Sequence, residues 1–129
     1  MRHDVLADVL SKINNAERVR KREVLLKPVS NLVKKVLKIL NQEKYVGDFE
    51  YIDDNRGGQI KLQLISKINK CAVIKPRLPF KSSEIEKYEK RYLPAKGFGF
   101  LIVSTSKGIM THNEAKKQGL GGVLIAYVY

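Results

Sequence analysis

The stretch GFGFLIVSTSKGIMTHNEAKKQGLGGVLIAYVY, residues 97–129, decides how the second half of this chain is built. Its first apolar run, Phe98 to Val103, has the β-branched and aromatic content of a strand. The run stops at Ser104-Thr105-Ser106-Lys107-Gly108, and a helix pattern begins at Thr111. The tetrapeptide T-H-N-E has the form of a capping box, with Thr111 serving the Glu114 amide and Glu114 reaching back to the Thr111 amide. Gly119 suits the left-handed residue that ends such a helix, and Gly122 to Tyr129 reads as a closing strand. A helix needs a single cap, so Ser104, Thr105, Ser106 and Lys107 are left without an assigned task. They can satisfy local backbone groups in a turn, or they can contact a ligand.

Upstream of this stretch, Ile68 to Ile74 predicts a strand ended by Pro76 and Pro79. KSSEIEKYEKRYLP, residues 81–94, predicts a short helix capped by Ser83 with Ile85 and Tyr88 inward. In the first half, Val5, Leu6, Val9, Leu10 and Ile13 recur at helical spacing, with Asp4 at the cap and Asn14-Asn15 at the close. Lys21 to Val29 reads as a strand with Pro28 at its end. Ser30 then offers an N-cap to a second helix with Leu32, Val33, Val36, Leu37 and Leu40 inside and Lys34, Lys35 and Lys38 outside. YVGDFEYID, DNRGG and QIKLQLI spell a hairpin over residues 45–65, with Ile60, Leu62 and Leu64 on one side. The predicted class is α+β: an α-β-α-β-β domain over 1–66 and a mostly β domain with a short helix over 67–129.

Charge narrows the partners. The chain of 129 residues holds 25 Lys+Arg against 13 Asp+Glu, a formal net charge of +12. Residues 67–129 carry +8 of this surplus and residues 1–66 carry +4. A folded domain this basic is expected to meet a polyanion, nucleic acid before an anionic membrane surface. Cys71 is the single cysteine, a small buried residue by its apolar neighbours, so no disulfide framework or thiol metal cluster is expected. No apolar run reaches the length of a membrane span and the charged N-terminus is no signal peptide, which points to a reduced, cytoplasmic compartment.

Catalysis finds little support. A serine nucleophile needs a base within reach and a group that orients the base. The two histidines are His3, beside the first helix cap, and His112, expected on the solvated face of the last helix. S-T-S-K-G lacks the spacing of a phosphate-binding loop, and the Gly119 to Gly122 run precedes a strand rather than a helix. Glu84, Glu86 and Glu89 sit among lysines and read as a solvated, ion-paired face. No metal, cofactor or small-molecule substrate is expected. Consecutive hydroxyls in an exposed turn can contact base edges, phosphates and 2′-OH groups, with Lys107 adding a point charge. From the residues alone the reading is a basic α/β protein that binds RNA.

VSTSKGIMTHNEAKKQGLGGVLIAYVY, DVLADVLSKINNA and LLKPVSNLVKKVLKIL together resemble the small-subunit ribosomal protein eight family across essentially the full chain. NKCAVIKPR and the charged insert before Leu93-Pro94 look like its archaeal and eukaryotic branch. The resemblance implies two tightly associated domains, a structural role without catalysis, and assembly of the central region of small-subunit rRNA beside neighbouring ribosomal proteins. It places Ser104, Thr105, Ser106 and Lys107 against an irregular internal loop of an rRNA helix. It carries further rRNA contacts onto Lys27, Ser30 and Asn31, and onto Asn14 and Asn15. Bacterial members carry a tyrosine where this chain has Phe80, whose ring can stack on a base or ribose without hydrogen-bonding or be buried in the core, and an acidic residue where it has Val123. The alternative from another class is a non-ribosomal, basic nucleic-acid-compacting protein.

Overall fold

The computed structural model describes residues 5–27, 30–53, 58–75, 77–95 and 97–129. The chain divides into two units, residues 1–69 and 70–129. Asp4, Pro28, Pro76 and most of the predicted DNRGG turn lie outside the described residues.

The first unit follows the order α-β-α-β-β. Helix α1 (Val5–Arg18) buries Leu6, Val9, Leu10, Ile13 and Ala16. It runs through Asn14 and Asn15 rather than ending there, because Ala16 continues the apolar stripe at i+3 from Ile13 and an exposed asparagine in a helix costs only a fraction of a kcal/mol (about 0.7 at most). The helix closes on Arg20, a non-glycine residue at φ 59°, with Lys21 N–H donating to Ala16 O and Arg20 N–H to Glu17 O. Helix α2 (Asn31–Gln42) ends in the same way on Lys44 at φ 62°. Strands β1 (Glu23–Leu26), β2 (Phe49–Ile52) and β3 (Gln59–Gln63) form an antiparallel sheet in the order β1-β3-β2. Leu26, Ile60 and Leu62 are buried on one face of this sheet, and α1 packs on β1 and on α2. Desolvation by burial and then the neighbouring Glu43 carboxylate raise the Tyr45 hydroxyl above its ordinary value.

The second unit is a sheet with two helices. Strand β8 (Gly122–Val128) pairs antiparallel with β6 (Phe100–Thr105) on one side, and with β4 (Cys71–Val73) and β5 (Pro79–Phe80) on the other. Strand β7 (Gly108–Thr111) extends the sheet beyond β6. Helix α3 (Ile85–Tyr92) is entered through a 3-10 turn at Ser82–Glu84, and helix α4 (His112–Gln118) follows β7 without a break. Ser83 is not the cap of α3. The Lys81 amide donates to Glu84 Oε1 at 2.9 Å while the Glu84 amide donates to Lys81 O at 2.8 Å, so the entry is closed around Lys81. The core joins Ile74, Phe80, Ile85, Tyr88, Leu101, Val103 and Leu124. Cys71 is buried, as expected.

Candidate nucleic-acid interface

The hydroxyl run is not a strand end followed by a loop. Ser104 and Thr105 are the last residues of β6, Gly108 opens β7, and the two strands are paired as Ser104 with Ile109 and Thr105 with Gly108. Ser106 and Lys107 alone form the tip of this hairpin and both are exposed. Strand β7 was not expected, because its last residue, Thr111, also reads as the cap of a helix. A signal for it was present: two strand-like tetrads, IVST and GIMT, flank a two-residue turn.

Thr105 holds the turn. Its Oγ1 donates to Gly108 O at 3.0 Å and accepts from the Lys107 amide at 3.2 Å, with the Met110 sulfur 3.9 Å away. Among the described residues, no hydrogen bond uses the Ser104 or Ser106 hydroxyl, and Lys107 has no ion-pair partner. The hairpin therefore presents two uncommitted hydroxyls and one cation on a turn locked from within. Strand β8 seats directly against it: Gly122 lies opposite Thr105, and a Cβ at Gly122 would collide with the Ser104 carbonyl oxygen. Any larger residue there would push β8 off the hairpin.

Behind the hairpin sits a buried clamp that the sequence did not reveal. Thr111 Oγ1 caps α4 by accepting from the Glu114 amide at 3.3 Å. The reciprocal Glu114 contact of a full capping box is not formed; Thr111 is also the last residue of β7, opposite Ile102. Gly119, at φ 67°, ends the helix as expected. His112 is not on a solvated face: it is 1 % exposed. Its Nδ1 accepts from the Leu101 amide at 3.0 Å and its Nε2 lies 2.7 Å from Glu89 Oε2. An accepting Nδ1 fixes the tautomer with the proton on Nε2, donated to the carboxylate. One ring thus ties α4 to β6 and to α3. Glu89 is correspondingly withdrawn from the ion-paired surface predicted for it, whereas Glu86 remains there and pairs with Lys116 at 3.0 Å.

In the first unit the residues carried over from the resemblance fall in two places. Asn15 is exposed on α1 and, with Lys12, Ala16, Val19, Lys21 and Val24, lines a cleft of about 320 Å³. Lys12, which nothing in the sequence singled out, donates from Nζ to Lys27 O at 3.3 Å and so joins Asn15 and Lys27 in one neighbourhood. Asn14 is half-buried on the adjoining face. Ser30 and Asn31 sit at the start of α2, where Ser30 Oγ accepts from the Val33 amide at 3.2 Å and Asn31 is exposed. The first turn of α2 carries no acidic side chain, which leaves its N-terminal dipole open to an anion. Of the two readings of Phe80, the structure supports burial rather than the rRNA contact. It is 5 % exposed within the core of the second unit, so its ring has no free face for a base.

Among the described residues no helix is long and apolar enough to cross a membrane, and no group of three ligating side chains is placed to hold a metal ion. The sequence matches a family model described as Ribosomal protein S8 over residues 4–129, nearly the whole chain. That match agrees with the α+β architecture, the surplus of positive charge and the hydroxyl-tipped hairpin: this chain belongs to the ribosomal protein S8 family, structural rRNA-binding proteins of the small ribosomal subunit.

Proposed function

We propose that this protein binds the central region of small-subunit rRNA, at an irregular internal loop of one helix, and helps that region assemble in the cytoplasmic ribosome. The observation that carries this reading is the division of labour at the β6–β7 hairpin. Thr105 holds the turn, which frees the Ser104 and Ser106 hydroxyls and the Lys107 ammonium to face a partner. Hydroxyls that donate and accept suit an irregular RNA surface, where base edges, phosphates and 2′-OH groups mix. Lys27, Ser30 and Asn31 supply a second contact at the start of α2, where an open helix N-terminus favours phosphate. Asn15 and Lys12 extend that contact along the cleft beside α1. The charged insert and the NKCAVIKPR stretch favour the archaeal and eukaryotic branch of the family. Neighbouring small-subunit proteins complete its surroundings.

Chemical footprinting of small-subunit rRNA, with and without the protein, tests the proposal. The expected result is protection concentrated at one internal loop of the central region. Protection spread along the rRNA, with equal affinity for duplex DNA at matched salt, would sink it in favour of sequence-indifferent compaction.

A further inference from the structure

The GFGF sequence at residues 97–100 has no part in the hairpin contact, yet it builds an unusual surface. Phe98 is 49 % exposed and stands between two glycines of positive φ, Gly97 at 77° and Gly99 at 85°. A Cβ at Gly99 would strike the Val128 carbonyl oxygen, so the loop is pressed onto the end of β8 with the phenylalanine left outside. Phe98 continues a row of rings: it lies 6.3 Å from Tyr129, Tyr129 stacks on Tyr127 at 6.2 Å, and Tyr127 stacks on Tyr92 at 5.6 Å. Two cations lean on this row, Lys70 at 5.9 Å from the Tyr127 ring and Arg91 at 5.5 Å from the Tyr92 ring.

Among the described residues neither Lys70 nor Arg91 has a carboxylate partner. The acidic side chains of α3 and its entry turn are engaged elsewhere: Glu89 with His112, Glu86 with Lys116, Glu84 with the Lys81 amide. An exposed ring at the end of an aromatic row, beside unpaired cations, matches the chemistry of an unpaired nucleotide, whose base stacks and whose phosphate is anionic. A protein partner would instead have to bring carboxylates of its own to the row. On the paired strands β6 and β8 the row lies at the level of Leu101 and Tyr127, whereas the hairpin begins at Thr105 and Gly122. That separation is roughly 15 Å along the strands. The segment the row touches is therefore separate from the one at the hairpin.

We infer that Phe98, backed by Tyr129, Tyr127 and Tyr92 and flanked by Lys70 and Arg91, is a further RNA contact that stacks an unpaired base. The inference rests on the rRNA-binding reading above. The chain has no tryptophan, so Phe98→Trp introduces a single fluorescent reporter at an exposed position. Adding small-subunit rRNA should quench it, as a stacked base quenches indole, and Phe98→Ala should weaken rRNA binding about tenfold without changing its salt slope. Arg91→Ala should lower that slope by roughly one. Unquenched indole fluorescence in Phe98→Trp, together with full rRNA affinity in Phe98→Ala, overturns the inference. So does loss of binding to purified small-subunit proteins with rRNA affinity intact, which would make the row a protein contact. Ser106→Ala measured alongside separates the two readings: if it still weakens rRNA binding while Phe98→Ala does not, only the stacking contact fails.

Discussion

Replacing Thr105 by valine keeps the shape of the side chain and removes both hydrogen bonds that close the hairpin. We expect a loss of about 1 kcal/mol of stability per bond, read by denaturant unfolding, with RNA binding weakened as the turn loosens. Ser106→Ala should do the opposite: unchanged unfolding, and rRNA affinity lower by about 1–3 kcal/mol where the RNA group is left without a partner. An unchanged melt and unchanged affinity in Ser106→Ala would remove that hydroxyl from the interface. In the sequence Ser104, Thr105 and Ser106 look like equals, because only strand register tells which hydroxyl faces the turn. His112 was misplaced for a related reason. Its position in the first turn of α4 suggested solvent, but the partners that bury it, Leu101 and Glu89, come from elements 11 and 23 residues away. His112→Leu leaves the Leu101 amide and the Glu89 carboxylate unpaired, and should destabilise the protein by about 3 kcal/mol in the same unfolding assay. Glu89→Gln, which keeps an acceptor for Nε2–H, should be milder.

At the scale of elements, the helices and the strands that carry alternating apolar residues were legible, and their ends were not. α1 overran its predicted stop, and both α1 and α2 close on arginine or lysine in the left-handed conformation, where glycine is the usual signal. β1 begins at Glu23, later than predicted, and its predicted end at Val29 lies outside the described residues. β4 covers only Cys71–Val73 of the predicted Ile68 to Ile74, although the Lys70 and Ile74 amides still donate to Tyr129 O and Ile125 O beside it. β7 escaped because its four residues double as the approach to a helix. Ser30, by contrast, caps α2 as expected, and Ser30→Ala should cost about 1 kcal/mol of stability. Gly122→Ala tests the coupling of strands. With the Ser104 carbonyl in the way, β8 must shift, and about 1–3 kcal/mol should be lost together with RNA affinity. If Gly122→Ala melted like the parent protein, the close approach of β8 to the hairpin would have to be abandoned as a constraint on the interface.

For the molecule as a whole, the surplus charge named a polyanion, while the family match narrowed it to rRNA. Charge alone does not say which lysines act through the ionic atmosphere and which pack. Lys34 stands 4.1 Å from the centroid of the Tyr51 ring, so its removal alters packing as well as charge. Lys35 and Lys38 are exposed on the same helix. If they face the phosphate backbone, Lys35→Ala with Lys38→Ala should lower the salt slope of rRNA binding by about two and leave discrimination between RNAs intact. A collapse of discrimination would instead make them readers of one site.

The tautomer fixed at His112 has a spectroscopic consequence. A proton on Nε2, buried and held 2.7 Å from a carboxylate, is shielded from exchange with water and should give a far-downfield resonance in the proton NMR spectrum. That signal exists only while α3, β6 and α4 are assembled together. The chain thus carries its own internal indicator of whether the second unit is folded.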